Sequence, residues 1–187
     1  MPVGKGKPHW KSRQARSKCR RNISQSRPLM VESVVLQKII SGGQTGADRA
    51  ALDWAIARGI PHGGWCPQGR LAEDGVIPAH FHLTETPTAD YAQRTAWNVR
   101  DSDGTVVFSV AAMLLGGSQQ TVELAAQHRK PCLHLSRERD GEGAAARLRR
   151  FLDRHGIRTL NVAGPRLSQE PGIAGFVAEV LGKEAGG

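Results

Sequence analysis

The chain has 187 residues, of which 39% are hydrophobic and 23% are charged, and its formal net charge is +9. This length fits one domain with a sizeable core. Three cysteines without CxxC spacing argue against a disulfide framework and against a zinc ribbon. The longest uncharged span, residues 104–122, is interrupted by glycine, serine and glutamine, so it is not a membrane helix. We expect a cytoplasmic protein without membrane contact.

The positive charge is concentrated at the amino terminus. Residues 1–29 contain nine of the 26 basic residues and no acidic one, so the chain from Met30 onward has 17 basic and 17 acidic residues. Because the segment has few apolar residues, and these recur at neither helical nor strand spacing, we predict a disordered basic tail over residues 1–30. Contact with polyanions, an organelle transit segment, and translation from a start upstream of Met30 are three open explanations. The neutral body is not expected to bind nucleic acid.

The first predicted unit is a strand, a glycine-rich turn and a helix. Residues 36–40, Leu-Gln-Lys-Ile-Ile, are apolar and β-branched enough to form a strand, and they end before the Gly42-Gly43 pair. Apolar residues then recur at helical spacing from Ala47, and Gly59 is placed to end the helix. This order directs backbone N–H groups and a helix N-terminus toward one point, which is typical of an anion-binding turn.

The remaining elements alternate between strand and helix. After an extended piece at residues 62–67 and a loop over 68–82, we predict helices at 88–99, 121–128, 143–155 and 172–181, and strands at 105–110, 131–135 and 158–163. Such alternation with short connections predicts a single doubly wound α/β domain over residues 31–183, with a mainly parallel sheet.

Two strands lead through a Gly-Gly pair into a helix. One turn contains Gly42, Gly43, Gln44, Thr45 and Gly46, and the other contains Gly116, Gly117 and Ser118. Because ligands of open α/β sheets lie beyond the carboxyl ends of the strands, both turns are predicted to meet at one phosphate site. The alternative is that these glycines only form tight turns.

Charged residues near these turns are further candidates. Arg49, in the first turn of its helix, could reach a phosphate, while Asp48 could simply interact with the helix dipole. Arg70 lies in the long loop between Gly69 and Gly75, where a ligand-contacting or lid segment and a plain surface loop are both open.

Carboxylate and imidazole side chains could also indicate a site that binds a metal ion or a ribose. Asp101 and Asp103 follow a predicted helix and could bind ribose hydroxyls or a metal, or form only a turn. His80 and His82, with Cys66 nearby in sequence, lack a further ligand at telling spacing. We therefore predict no metal site.

Five segments resemble the bacterial family of putative molybdenum carrier proteins. They are ISGGQTGADRAALDWAI, HGGWCPQGRLAEDG, ETPTADYAQRTAWNVRDSDGT, GGSQQTVELA and NVAGPR, and the resemblance covers about residues 36–182. It places the chain in a wider group of nucleotide-binding proteins that includes the lysine-decarboxylase-like phosphoribohydrolases. The resemblance implies a Rossmann-like fold, with the ligand at both Gly-Gly turns and Thr121 as a further binding residue.

The resemblance also defines two functional expectations. One is a carrier or sensor that holds a phosphate-bearing nucleotide or pterin such as the molybdenum cofactor (molybdopterin); we also expect a homo-oligomer. The other is a nucleotide-processing enzyme, in which Glu123, Asp101 or Asp103 would be the acid–base group. The hydrolase relatives use a PGGxGTxxE pattern, whereas this chain has Leu115 in place of the proline and Gln119 in place of the third glycine. No catalytic residue is therefore assigned.

Overall fold

A computed structural model describes residues 33–184 of the chain. The predicted disordered tail, residues 1–30, lies outside the described residues. The predicted α/β architecture with a parallel sheet is confirmed. Within residues 33–184, no helix has the length and apolar character needed to cross a membrane.

Five strands form one parallel sheet in the order β2-β1-β9-β7-β8. These strands are β1 (Lys38–Ile40), β2 (His62–Gly63), β7 (Gly104–Ser109), β8 (Cys132–Ser136) and β9 (Thr159–Ala163). Every residue of β7 is buried, as expected of a strand covered on both faces. The chain leaves β1 toward one edge of the sheet and β7 toward the other, with β9 between them. Their carboxyl ends therefore flank a crevice at the reversal of strand order.

Helices cover both faces of this sheet. The helices are α1 (Ala47–Ala57), α2 (Tyr91–Arg100), α3 (Gly116–Gln127), α4 (Arg137–Asp140), α5 (Ala144–His155) and α6 (Ile173–Glu184). Helices α1 and α5 pack against α6, and α2 packs against α3. Phe108 of β7 meets Phe176 of α6 edge to face, with ring centroids 5.7 Å apart. Both rings are almost fully buried in the main hydrophobic core.

Four short strands lie outside the main sheet. Strand β3 (Trp65–Cys66) pairs in parallel with β6 (Thr84–Glu85), and β4 (Leu71–Ala72) forms an antiparallel hairpin with β5 (Gly75–Val76). A 3₁₀ turn at Gln68–Arg70 precedes this hairpin, and another at Gly141–Gly143 follows α4. The hairpin falls within the stretch 68–82 for which the sequence predicted only a loop, because strands of two residues carry no measurable alternation.

Helix α3 differs most from the prediction. The sequence placed its start at Thr121 and assigned Gly116-Gly117-Ser118 to the preceding turn, whereas the helix begins at Gly116. Glycine has poor helix propensity, so propensity alone placed the start one turn late. The Gly-Gly pair thus stands at the start of the helix, with Gly116 at a left-handed φ of +53°, and the backbone N–H groups of this first turn have no intrahelical acceptor.

Candidate functional site

A cavity of about 300 Å³ opens at the carboxyl edge of the sheet. Four segments line it: the β1–α1 turn, helix α2, the N-terminus of α3, and the end of β9 with the residues after it. The lining residues are Gln44, Asp48, Tyr91, Arg94, Thr95, Asn98, Gly117, Ser118, Gln120, Thr121, Asn161, Val162, Ala163, Gly164, Arg166 and Gln169. The site therefore lies where open α/β sheets bind their ligands.

A buried ion pair lies in the cavity wall. Arg94 Nη1 of α2 donates to Asp48 Oδ2 of α1 at 3.1 Å, and the Gln44 N–H donates to the same oxygen at 3.3 Å. The Asp48 side chain is only 4% exposed. Burial raises the pKa of the Asp48 carboxyl, although the Arg94 charge and these hydrogen bonds oppose the rise. The pair thus holds the Arg94 guanidinium at the cavity.

Gly42 makes room for this guanidinium. A Cβ atom at Gly42 would coincide with the Arg94 Nη1 position and would lie 2.9 Å from Asp48 Oδ2. Any side chain at residue 42 would therefore displace Arg94 from Asp48. The lack of a side chain at Gly42, the first glycine of the predicted turn, therefore leaves space for an arginine from another helix.

Two buried donors of the cavity wall have no partner. Gln44 is 5% exposed, and its Oε1 accepts the N–H groups of Thr45 at 3.0 Å and Glu73 at 2.9 Å. These two bonds fix the amide orientation, so Nε2 is the end left without a partner. The buried Arg94 Nε is likewise unpartnered. Unmet buried donors are costly, so both groups are candidates to bind acceptor atoms of a ligand or of ordered water.

The N-terminus of α3 faces the same cavity. Its N-cap residue, Leu115, makes no side-chain cap, and no atom lies within 4 Å of a Cβ placed at Gly116 or Gly117. The Thr121 hydroxyl donates back to the Gly117 carbonyl at 2.9 Å. An open, uncapped helix start carries a partial positive charge and free N–H groups, which is the arrangement that binds anions.

Two guanidinium groups approach one aromatic ring at the cavity mouth. The Arg94 and Arg166 guanidinium carbons lie 5.9 and 5.4 Å from the centre of the Tyr91 ring. Both distances are within the range of cation–π attraction. Both arginines line the cavity, so they add positive charge to the lining that also includes the N-terminus of α3.

The first glycine turn is packed against protein on its Cβ side. Gly43 and Gly46 have φ values of +75° and +81°, which favour glycine. A Cβ at Gly43 would overlap Leu83, and one at Gly46 would lie 2.5 Å from the Pro165 carbonyl oxygen. The backbone conformation and the tight packing of the fold therefore explain why both positions are glycine. Whether the N–H groups of this turn bind phosphate stays a prediction.

The polar residues predicted around the first turn are engaged within the protein. The Thr45 hydroxyl bonds to Glu73 and accepts the Leu167 N–H at 3.2 Å. Arg49 donates to the Gly43 carbonyl at 3.1 Å and pairs with Asp74.

Arg70 organises the loop that follows it. Its guanidinium donates to the carbonyl oxygens of Ile77, Pro78, Phe81 and Leu83 at 2.9–3.2 Å. Thr45, Arg49 and Arg70 do not line the cavity. Of the predicted binding residues, Gln44, Gly117, Ser118 and Thr121 do.

The candidate acid–base carboxylates also lie elsewhere. Glu123 is exposed on α3 and accepts a hydrogen bond from Gln119 at 3.2 Å. Asp101 accepts the Trp65 indole N–H at 2.7 Å, and Asp103 accepts the Thr159 N–H at 2.7 Å, both near the amino end of β7. Among residues 33–184, no three His, Cys, Asp or Glu side chains cluster in a metal-binding arrangement.

Sequence reasoning missed the two arginines of the cavity. The signal for Arg94 was its spacing of four from Asn98 on α2, which places both on one helix face. The signal for Arg166 was its position directly after the last strand and Gly164-Pro165. Neither signal identifies a ligand until the tertiary structure brings α2 and the end of β9 together.

Comparisons with known proteins identify relatives of this chain. A crystal structure described as a putative molybdenum carrier protein from Syntrophus aciditrophicus SB is 49% identical in sequence, with a TM-score of 0.80. The match covers 83% of this chain and 98% of that chain. A search of curated proteins found no match. The model of the circularly permutated YpsA SLOG family matches residues 39–184. The chain therefore belongs to the circularly permutated YpsA SLOG family.

Proposed function

We propose that this protein binds a small phosphate-bearing ligand, a nucleotide or a pterin such as the molybdenum cofactor, and acts as its carrier. One observation supports this most strongly. The unpartnered Gln44 Nε2 and Arg94 Nε belong to the same cavity as the uncapped N-terminus of α3. All three features provide hydrogen-bond donors, and together they favour the binding of an anion with several acceptor oxygens.

The charge of the cavity fits this ligand class. Its lining contains Arg94 and Arg166 but only one acidic residue, Asp48, which is already paired with Arg94. The helix dipole of α3 adds further positive potential. Arg94, Arg166 and the α3 helix dipole would all attract a phosphate group, whereas they would repel a cationic ligand.

The residues present also fit the molybdenum cofactor, a pterin that carries a phosphate. The phosphate would be held by the N–H groups of Gly117 and Ser118 and by Arg94. The Gln120 amide and the Asn161 side-chain carbonyl belong to the same cavity lining and would bond the polar edges of a pterin or purine ring, whereas both ends of the Asn98 amide are held by the Trp65 backbone. When bound, this cofactor would supply the molybdenum centre, and the residues of this chain would orient it and exclude water. The structural relative described as a putative molybdenum carrier supports this choice.

The alternative of a nucleotide-processing enzyme has weaker support, because the one carboxylate that lines the cavity, Asp48, is paired with Arg94. The three carboxylates considered for acid–base chemistry, Glu123, Asp101 and Asp103, do not line the cavity. A general acid or base must come within hydrogen-bond reach of the bond it cleaves. A carrier needs only the binding groups described above.

The test is calorimetric titration of the full chain with AMP, GMP and neopterin monophosphate, each compared with its unphosphorylated nucleoside or pterin. Arg166→Met is the most informative variant, because Arg166 is partly exposed and its removal leaves no buried partner charge. We expect the affinity for the phosphorylated ligand to fall at least about tenfold, or about 1.4 kcal/mol. Arg94→Gln should weaken binding as well, with some loss of stability because Asp48 loses its partner.

Arg100→Gln is the matched control. Arg100 is on the same helix but pairs with Asp101 away from the cavity, so its removal should leave the affinity unchanged. Equal binding of phosphorylated and unphosphorylated ligands, or equal loss in the Arg100 and Arg166 variants, would contradict the proposal. Release of free base during the titration would favour the enzyme instead.

A further inference from the structure

A second cavity adjoins the first across the N-terminus of α3. It has a volume of about 340 Å³, and the segment between β7 and α3 forms much of its wall. Ser118 and Gln169 line both cavities, while Gly117 lines only the first and Gly116 only the second. The start of α3 therefore forms the boundary between two compartments.

The second compartment differs from the first in chemistry. Met113, Leu114, Leu115 and Pro165 give it an apolar wall, whereas the first is lined mainly by amides, hydroxyls and arginines. Met113 and Leu115 are 76% and 79% exposed. Large apolar side chains exposed beside a concave surface commonly mark a binding site, and the thioether of methionine packs well on aromatic rings.

Polar groups at the rim of the second compartment are fixed in place. The Glu170 carboxylate accepts the Val110 N–H, and the Ser109 hydroxyl bonds to the Ala111 carbonyl and to His134 Nε2, each at 2.7 Å. Glu170 and Ser109 both line the compartment. The compartment thus combines apolar walls with a few rigid polar groups, as small-molecule sites do.

A phosphate bound at Gly117 and Ser118 would lie at this boundary. A phosphomonoester carries one organic group and could fill only one compartment. A phosphodiester or a pyrophosphate bridge carries an organic group on each side. The geometry therefore favours a ligand in which the phosphate is internal.

We infer that the ligand is a two-ring compound of the dinucleotide class, with a bridging phosphate or pyrophosphate at the N-terminus of α3. One ring system occupies the polar compartment beside Arg94, and the other packs against Met113 and Leu115. This inference rests on the proposed function, because it requires that the first cavity bind phosphate. It adds the identity of the ligand class and a second binding compartment.

The test compares matched ligands by calorimetry on the full chain. AMP and GMP are titrated alongside diadenosine and diguanosine 5′,5′-diphosphate, which contain the same rings joined by a pyrophosphate. We expect at least one dinucleotide to bind about tenfold or more tightly than its mononucleotide. The double variant Met113→Gln with Leu115→Gln adds no charge and should bring that ratio close to one.

Leu71→Gln with Val76→Gln is the matched control. Both residues are exposed on the β4–β5 hairpin, outside the two compartments, so the ratio should not change. Equal affinities of mononucleotide and dinucleotide, or a ratio unaffected by the Met113 and Leu115 changes, would overturn the inference while leaving the proposed function intact. Binding of none of these nucleotides would overturn the inference, and the additional failure of neopterin monophosphate to bind would contradict the proposed function as well.

Discussion

Arg94, Asp48 and Gly42 form one structural unit that no single segment of the sequence reveals. The guanidinium from α2 lies over the glycine that ends the first strand and pairs with the carboxylate at the start of α1. Each residue depends on the other two, since a side chain at Gly42 removes the space and a neutral residue at Asp48 removes the charge. The unpartnered Arg94 Nε is left at the cavity by this arrangement.

Gly42→Ala should destabilise the protein and Gly117→Ala should not. The added methyl group at residue 42 would coincide with Arg94, and overpacking of this kind costs about 1–3 kcal/mol. At Gly117 nothing lies within 4 Å, so alanine should be neutral or stabilise helix α3 by up to about 1 kcal/mol. The measurement is urea unfolding of the two variants. Equal stabilities would show that Arg94 does not occupy the space above Gly42.

The pH dependence of stability should separate two buried carboxylates. Burial raises the pKa of Asp48 above 3.8, so its contribution to stability is full below that value and is lost as pH rises through the folded pKa. Burial would also raise the pKa of Asp140, but the Ser136 N–H and the Arg139 and Arg147 guanidiniums outweigh it and lower the pKa. The contribution of Asp140 is therefore lost as pH falls.

The test is the unfolding free energy of the wild type minus that of Asp48→Asn, measured from pH 3 to pH 8. This difference should decrease as pH rises, because asparagine does not titrate while the paired arginine stays charged throughout. The same difference for Asp140→Asn should increase with pH. Slopes of the same sign for both residues would refute the assignment of Asp48 as a carboxyl dominated by burial.

At the scale of elements, the β4–β5 hairpin is held to the turn before α1. The Glu73 carboxylate accepts hydrogen bonds from the hydroxyls of Ser168 and Thr45, and these bonds lower its pKa. The Glu73 N–H bonds to Gln44 at 2.9 Å, and Asp74 pairs with Arg49. The hairpin thus fixes Gln44, a residue that lines the cavity and has an unpartnered amide nitrogen.

Glu73→Ala should loosen this hairpin without affecting the sheet. We expect faster amide hydrogen exchange over residues 71–77, because the substitution removes the two hydroxyl contacts to the Thr45 and Ser168 segments. Exchange in β7 should be unchanged. Mass spectrometry of exchanged peptides measures both, with Glu123→Ala as the control on exposed α3. Unchanged exchange over 71–77 would mean that the hairpin is held by other contacts.

The sequence supports prediction of long elements better than of the site. Strand β7 and helix α5 were predicted within two residues, because a buried apolar run and an amphipathic period are local signals. The two glycine turns look alike in sequence, yet the first is filled by Leu83 and Pro165 while the second is open. Which turn is free for a ligand depends on distant residues, so local patterns could not distinguish them.

At the scale of the whole molecule, the charge is divided unevenly along the chain. Residues from Met30 onward carry equal numbers of basic and acidic residues, and the excess positive charge belongs to residues 1–29. In the body, arginines gather at the cavity, with Arg94 and Arg166, and on α5, where Arg147, Arg150 and Arg154 line another pocket. Because the body carries no net positive charge, it suits a small anion more than an extended polyanion. The predicted homo-oligomer stays a prediction.

A chain that starts at Met30 should bind neither DNA nor RNA tightly. Phosphate neutralisation by surplus basic residues dominates non-specific affinity, and the body has no surplus. Fluorescence anisotropy with labelled duplex DNA and single-stranded RNA, at two salt concentrations, measures this. Salt-dependent binding by the shortened chain would contradict this prediction and would point to the α5 arginines, Arg147, Arg150 and Arg154, as the contact surface.

The most direct test of the anion site is anomalous diffraction from a crystal of the protein soaked in tungstate. Tungstate is a tetrahedral dianion like phosphate, and its heavy atom reveals its position. We predict a tungsten peak within hydrogen-bonding range of the Gly117 and Ser118 N–H groups and of Arg94, where the helix dipole and the guanidinium converge. Tungsten peaks elsewhere on the molecule, with none at the N-terminus of α3, would contradict the account.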